Sequence, residues 1–464
     1  MKQVGTRFNP WVLPFLGGVL LVAASSARAD EVDRIREKCG ELARAIISER
    51  YDHLAEAKDS SLGRVYKDFD YLLKDSKTSI LADATKSASD PAQKHRLERL
   101  HEFLMGERIF YAVAPNWDTA ESYARSASMA VSGSDVELNL NSFEQMLANA
   151  DNRSNRRIWY LASRDLRENA NVFKLNLYLD LDRKAQELVG TDYDTFLATR
   201  YEIDPAALEA LCQQVLDSTQ EEYQQLLQAV VPVAIDGMTV EDLREYDVPY
   251  LLRMHQLDDT FEDGKYENVA GKWLKDFGLD LKNARKLRIS DESRIGKSPE
   301  PWTFPIANGE DTRISINPLG GFPDYWNLFG QLGSAYFYYN IDANLPLSDQ
   351  RFGSPVLPMT YAALFQSVLL RPEWRDKYLK VKEPQQVDEA VRLRSLFDLR
   401  EAAARYLFYR KMYSDSETPP SAYTEMMQSA MTWNQGATEE ANYLLADDMH
   451  TSGMRGLASL RAAQ

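Results

Sequence analysis

The chain of 464 residues can bury a large core, and its 44% hydrophobic and 27% charged residues are those of an ordinary globular protein. A mean hydropathy of −0.45 excludes a polytopic membrane protein. With 70 acidic against 54 basic residues the net charge is −16, which repels a phosphate backbone, and no basic run offsets it, so no nucleic-acid partner is expected.

Lys2 and Arg7 precede an apolar stretch, residues 11–24, and Ala27-Arg28-Ala29 has the A-x-A form of a cleavage site. The stretch is short of the roughly 20 residues that span a bilayer. Residues 1–29 are therefore expected to be a cleaved signal peptide and Asp30 the first mature residue. That makes the protein periplasmic or secreted, with no membrane association beyond the leader. An uncleaved anchor is the alternative. Cys39 and Cys212 are the only cysteines. They could pair in an oxidising compartment or remain two separate buried thiols.

Apolar residues at three-to-four spacing predict helices over 33–51, 96–107, 142–150, 156–188 and 205–230. Asp204-Pro205 supplies an N-cap and a first-turn proline for the last of these. Further helices are predicted over 240–264, 270–277, 324–339, 360–370, 386–413 and 421–433. Between them the Gly/Pro-rich stretch 293–323 contains Arg313-Ile314-Ser315-Ile316-Asn317, whose alternation predicts a short half-buried strand. The expected fold is mainly α: one helical domain over 30–464, with halves 30–277 and 278–464 and a small β element.

From Gly278 onward the order of segments is distinctive. "GLDLKNARKLRISDESRIGKSPEPWTFPI" leads into "DTRISINPLGGFPDYWNLFGQLGSAYFYYNIDANLP" and then "RFGSPVLPMTYAALFQSVLL". This resembles the gluzincin peptidase superfamily, which contains thimet oligopeptidase, oligoendopeptidase F and angiotensin-converting enzyme. There a GKSPRAF-like loop and a D-x-R-x-S strand precede a helix bearing H-E-x-G-H-A, and a second helix opened by G-x-x-P-x-x-H-E-A brings a third zinc ligand. The resemblance spans about 175–455 and implies a large helical fold with a central cleft.

In that chemistry two histidines four apart offer imidazoles to one zinc, a Glu takes the proton of the metal-bound water, and a further Glu completes the ligand set. Aligned on the shared Gly and Ala, the first histidine position is Gly330, the base Gln331, the second histidine Ser334 and the third ligand Thr360, with Met359 before it. An absent side chain, an amide and two hydroxyls cannot replace imidazoles and carboxylates. Five histidines occur, and none makes an H-E-x-x-H: His101-Glu102 meets Met105 where the second should stand. Two other groupings are candidate relocated sites, His255 with Asp258, Asp259 and Glu262, and Asp447 with Asp448 and His450; solvated helix faces are the ordinary reading of both.

The resemblance also places Met454 near a tyrosine that relatives bring to the reaction centre, keeps Arg455, and implies a C-terminally shortened version of the fold. The strand before the metal helix is expected to pair with an extended peptide. Arg313, Ser315 and Asn317, with Gln331, Ser334 and Thr360 as a polar patch at the cleft floor, are the candidate ligand contacts. The alternative is that these groups satisfy one another in a closed core. Tyr325, Trp326 and Tyr336 to Tyr339 are expected as core and wall. The expected protein is an exported pseudopeptidase that binds a peptide or partner protein, with no cofactor and no metal. The alternatives are a hydrolase with a relocated site and an assembly subunit completed by another chain.

Overall fold

A computed structural model describes residues 13–281, 284–414, 420–432 and 451–463. Helices dominate, as the apolar spacing predicts. The first, Leu13–Leu54, runs without a break through the expected cleavage point. Beyond that point it buries Ile35, Cys39 and Leu42, one face at i, i+4 and i+7. The helix expected over 96–107 is the middle of Pro91–Ser126, started by Asp90, whose side chain accepts from the amides of Ala92 and Gln93. Asp204 caps Pro205–Ala234 in the same way, at 3.0 Å from Ala206 N and 3.1 Å from Ala207 N.

Two expectations need correction. The segment 156–188 is two helices, Arg153–Ala162 and Arg164–Val189, divided at buried Ser163, whose hydroxyl bonds the Tyr160 carbonyl. The segment 240–264 is not one helix. It holds 3-10 turns at Val240–Asp242, Glu245–Asp247 and His255–Leu257 around a six-residue helix, Val248–Arg253. The cause is tertiary. Asp247 is fully buried and receives Arg156 Nη2 at 2.9 Å and Arg153 Nη2 at 3.0 Å, while Met254 takes a left-handed φ of 53° that ends the helix. Neither feature alters the apolar spacing from which a helix is read.

The β element is larger than expected. A hairpin pairs Ser128–Ala130 with Glu137–Asn139, and a three-stranded sheet has the order Leu287–Ser290, Asp311–Ser315, Trp302–Ala307. The middle strand runs parallel to the first, with Arg288 beside Arg313, and antiparallel to the third, with Phe304 beside Arg313. Alternation then divides the sheet. Phe304 and Ile306 pack on Ile47, Tyr51 and Leu54 of the first helix, whereas Thr303 and Ile314 turn to the helix Phe322–Tyr339.

One apolar cluster joins both halves of the chain, from Ile109 and Leu227 to Phe329 and Phe408. A second lies under the N-terminal helices and contains Cys39, Leu104 and Phe352. Arg400, wholly buried, fastens three helices by donating to Leu216 O at 2.7 Å, Thr219 Oγ1 at 2.7 Å and Ala430 O at 2.6 Å. Among the described residues no helix is long and apolar enough to cross a membrane.

The first helix, the 58–63 loop and Pro91–Ser126 meet at His53. Its Nδ1 lies 2.8 Å from Lys58 O and its Nε2 3.0 Å from Glu121 Oε2. Both partners only accept, so the imidazole must carry two protons. Burial alone would lower its pKa, but the Glu121 and Lys58 bonds raise it overall. Its contribution is therefore complete below the ordinary histidine value of about 6.5 and is lost as pH rises through the raised folded value. In urea unfolding, His53→Gln is expected to cost about 1.5–3 kcal/mol at pH 6. The gap from wild type should shrink above neutral pH; a gap that grows with pH would contradict this.

Cys39 and Cys212 are buried, free and in different clusters. Burial pushes the Cys212 thiol up to about 12 and raises Cys39 as well. Both should resist a disulfide thiol reagent in the native protein and react together on unfolding. A single fast thiol would contradict that, as would a denatured chain with none.

Candidate functional site

The helix Phe322–Tyr339 carries the residues aligned with the metal motif. It begins where Gly320 and Gly321 take positive φ, 90° and 59°, and where the Asp324 carboxylate accepts from Leu319 N at 2.8 Å and Gly320 N at 3.0 Å. Burial pushes that carboxyl up to about 6 against these two bonds. The first half of the helix is core: Tyr325 donates to Glu262 O at 2.9 Å and Trp326 Nε1 to Asp398 at 2.8 Å, both rings buried.

Its second half presses on the helix Val356–Ser367. A Cβ built on Gly333 would stand 2.1 Å from Tyr361 O, so only glycine fits at this crossing. One on Gly330 would lie 2.7 Å from Gln366 Nε2, because the Gln366 side chain fills the space over Gly330 and donates to Trp326 O at 3.2 Å. The position aligned with the first histidine is thus occupied by an amide from the neighbouring helix. Trp273, stacked on Phe329 at 5.1 Å and edge-on to Phe365 at 5.0 Å, holds the same pair of helices from below.

The remaining polar groups each have a partner within the chain. Gln331 Oε1 accepts from Thr303 Oγ1 at 2.8 Å, Ser334 Oγ donates to Pro358 O at 3.1 Å, and Thr360 Oγ1 donates to Val356 O at 2.8 Å in its own helix. All three are half-buried. Gln331, Ser334 and Tyr338 lie on one face at i, i+3 and i+7, whereas Thr360 bonds back into its own helix. Each of the three polar groups thus has a protein partner, which fits the alternative of groups satisfied by their neighbours.

The strand is also placed differently. Asp311–Ser315 is the middle of its sheet, so its backbone is already paired on both sides and cannot receive a peptide. Arg313 bonds Asp311, at 2.8 Å through Nη2, and lies over the Tyr51 ring; Ser315 is buried, and Asn317 Oδ1 accepts from Ser293. Arg313, Ser315 and Asn317 thus belong to the side of the sheet under the first helix, apart from Gln331, Ser334 and Thr360. The two edges belong to Leu287–Ser290 and Trp302–Ala307, and Pro305 of the latter has no N–H to give. The lysine of the GKSP segment is structural: Lys297, buried, donates to Ser290 O at 3.0 Å, Glu292 O at 3.0 Å and Ile316 O at 2.6 Å.

The grouping around His255 is not assembled as a ligand set. His255 Nε2 bonds Ala148 O at 3.0 Å, Asp258 is held by Arg253 at 2.6 Å, and Asp259 by Lys382 at 2.6 Å. Asp447, Asp448 and His450 lie outside the described residues. Among the described residues no three His, Cys, Asp or Glu side chains gather to hold a metal ion. Met454 is buried against Val356, at the start of the helix that carries Thr360, and Arg455 is exposed. A cavity of about 240 Å³ touches the helix at Leu332, Tyr336 and Tyr339, on another face from Gln331 and Ser334.

The sequence reading missed Thr303 and Gln366, which close the site, and Arg351, which donates to Ile306 O at 2.7 Å at the edge of the sheet. Only Arg351 had a signal, a basic residue opening the segment that ends in the second motif helix.

No protein-family model and no curated protein matches the chain. Solved structures do. An oligoendopeptidase F of Bacillus anthracis strain Ames is similar over 89% of this chain and 77% of its own, at 14% identity and a TM-score of 0.60. PZ peptidase A, solved with an inhibitor, is similar over 94% of this chain and 86% of its own, at 13% identity and a TM-score of 0.66. A second oligoendopeptidase F structure covers 95% of this chain, with 85% of its own length, 14% identity and a TM-score of 0.63. The chain has the mainly helical fold of the oligoendopeptidase F-like peptidases.

The helix crossing gives a test of the packing. Gly333→Ala is expected to cost about 3 kcal/mol in urea unfolding, because the obstruction is backbone. Gly330→Ala should be close to neutral, since a helix-propensity gain of about 1 kcal/mol offsets the displacement of a flexible side chain. Equal costs would contradict the geometry.

Proposed function

We propose that this protein is an exported pseudopeptidase: it holds an extended peptide, or such a segment of a partner protein, without hydrolysing it. The supporting observation is the state of the helix aligned with the zinc motif. Its two ligand positions are a glycine and a hydroxyl, its base position is an amide, the third-ligand position on the next helix is another hydroxyl, and each of the three polar side chains already bonds a protein atom. Such a donor set does not fit zinc, which takes thiolates, imidazoles and carboxylates. Gln366 over Gly330 means that a histidine there would need a neighbour to move. With no group to lower the pKa of a water and no base beside it, hydrolysis by the zinc route has no machinery. Holding a peptide needs only an accessible strand edge, which Trp302–Ala307 offers. Export rests on the leader-like N-terminus.

A hydrolase with another catalytic group is the second reading. One experiment separates the two. Quenched-fluorescence peptides incubated with the full chain, with added zinc or with chelator, should be bound but not cut. Chelator-sensitive cleavage would overturn the proposal; chelator-insensitive cleavage would establish the second reading.

A further inference from the structure

The open edge of the sheet carries a charge that nothing in the surrounding structure neutralises. Helix Leu13–Leu54 covers one face of Trp302–Ala307 and helix Phe322–Tyr339 the other, leaving the outer edge in the slot between them. At its end stands Arg351, whose Nη2 donates to Ile306 O at 2.7 Å and whose Nη1 lies 3.5 Å from Pro305 O. A guanidinium has five N–H donors in a planar fork, so these carbonyls leave further donors for a ligand.

Three buried arginines have a carboxylate partner, Arg156 with Asp247, Arg253 with Asp258 and Arg375 with Asp388, whereas Arg400 saturates its fork on carbonyl, amide and hydroxyl oxygens. Arg351 is half-buried, and among the described residues no carboxylate lies within 4.0 Å of its fork. The charged groups that act on it are Arg44, a like charge, and the phenol of Tyr338. Arg44 acts on Arg351 as a like charge, and a bound carboxylate would offset that repulsion. Tyr338 sits one helical turn beyond Ser334, on the face aligned with the zinc motif, so this pair adjoins the position where an extended peptide would lie.

We propose that Arg351, with Arg44 beside it, is a carboxylate-binding subsite, so that the peptide held along Trp302–Ala307 is one presenting an acidic side chain or a free C-terminus at that end. This rests on the peptide-holding reading of the cleft. The partner is acidic, against what the net charge of the whole chain would favour, and binding should weaken steeply with salt.

The test uses the full chain and one fluorescein-labelled octapeptide of Ala, Val and Thr in four forms: free C-terminus, C-terminal amide, amide with a central Glu, and amide with a central Gln. Anisotropy titrations should show the free-acid form, the Glu form, or both binding about 10- to 100-fold more tightly than the neutral amide and Gln forms. Which of the two gains identifies the carboxylate as terminal or side-chain. Arg351→Gln should abolish the difference between the carboxylate forms and the neutral forms. Arg44 is exposed and Arg44→Glu should fold, so it provides a second variant, expected to weaken the carboxylate forms selectively. Equal binding of all four forms overturns the subsite and leaves peptide binding standing. Binding of none overturns the peptide-holding reading and the subsite with it.

Discussion

Two helices meet so closely that a single hydrogen in place of a side chain decides their geometry. At Gly333 the backbone of Val356–Ser367 occupies the position where any Cβ would stand, 2.1 Å from Tyr361 O. This contact sets the distance between the two elements from which a gluzincin-like site would draw its ligands. Once they are this close, Gln366 reaches over Gly330 and Ser334 reaches Pro358 O, so the space between the helices is filled by the protein's own amide and hydroxyl groups. The aromatic cluster of Trp273, Phe329 and Phe365 supports the crossing from the core side. Packing and chemistry meet here: the contact that sets the distance between these helices also brings amide and hydroxyl groups into the space between them.

The same logic extends to the sheet. Its middle strand has both ladders occupied, and the side chains on its two faces serve different neighbours, Arg313 toward Tyr51 and Ile314 toward the helix Phe322–Tyr339. What remains available is an edge, and the groups around it are cationic rather than metal-binding. The chain shares its fold with peptidases, and Trp302–Ala307 is one of the two edges of its sheet.

Much of this was legible in the residues. Apolar spacing located most of the helices, the Asp204-Pro205 start included, and the order of segments after Gly278 placed the two facing helices correctly. What failed did so for tertiary reasons. The break at Ser163 and the dissolution of 240–264 follow from buried polar groups, Asp247 with Arg153 and Arg156 above all, which are scattered in sequence and invisible to a periodicity. Alternation in 311–317 identified a strand but could not say whether it was central or at an edge, since both present the same side-chain pattern; Pro305 carried the edge signal and was not used. The partners that Thr303, Pro358 and Val356 give to Gln331, Ser334 and Thr360 are not revealed by any spacing rule.

The central claim is that the facing helices hold each other and not a cation. It is tested most directly by metal analysis of the purified full-length chain after dialysis against excess zinc and then zinc-free buffer. The account predicts no stoichiometric zinc and an unfolding midpoint unchanged by the treatment. One tightly retained zinc per chain, stabilising the fold, would contradict it.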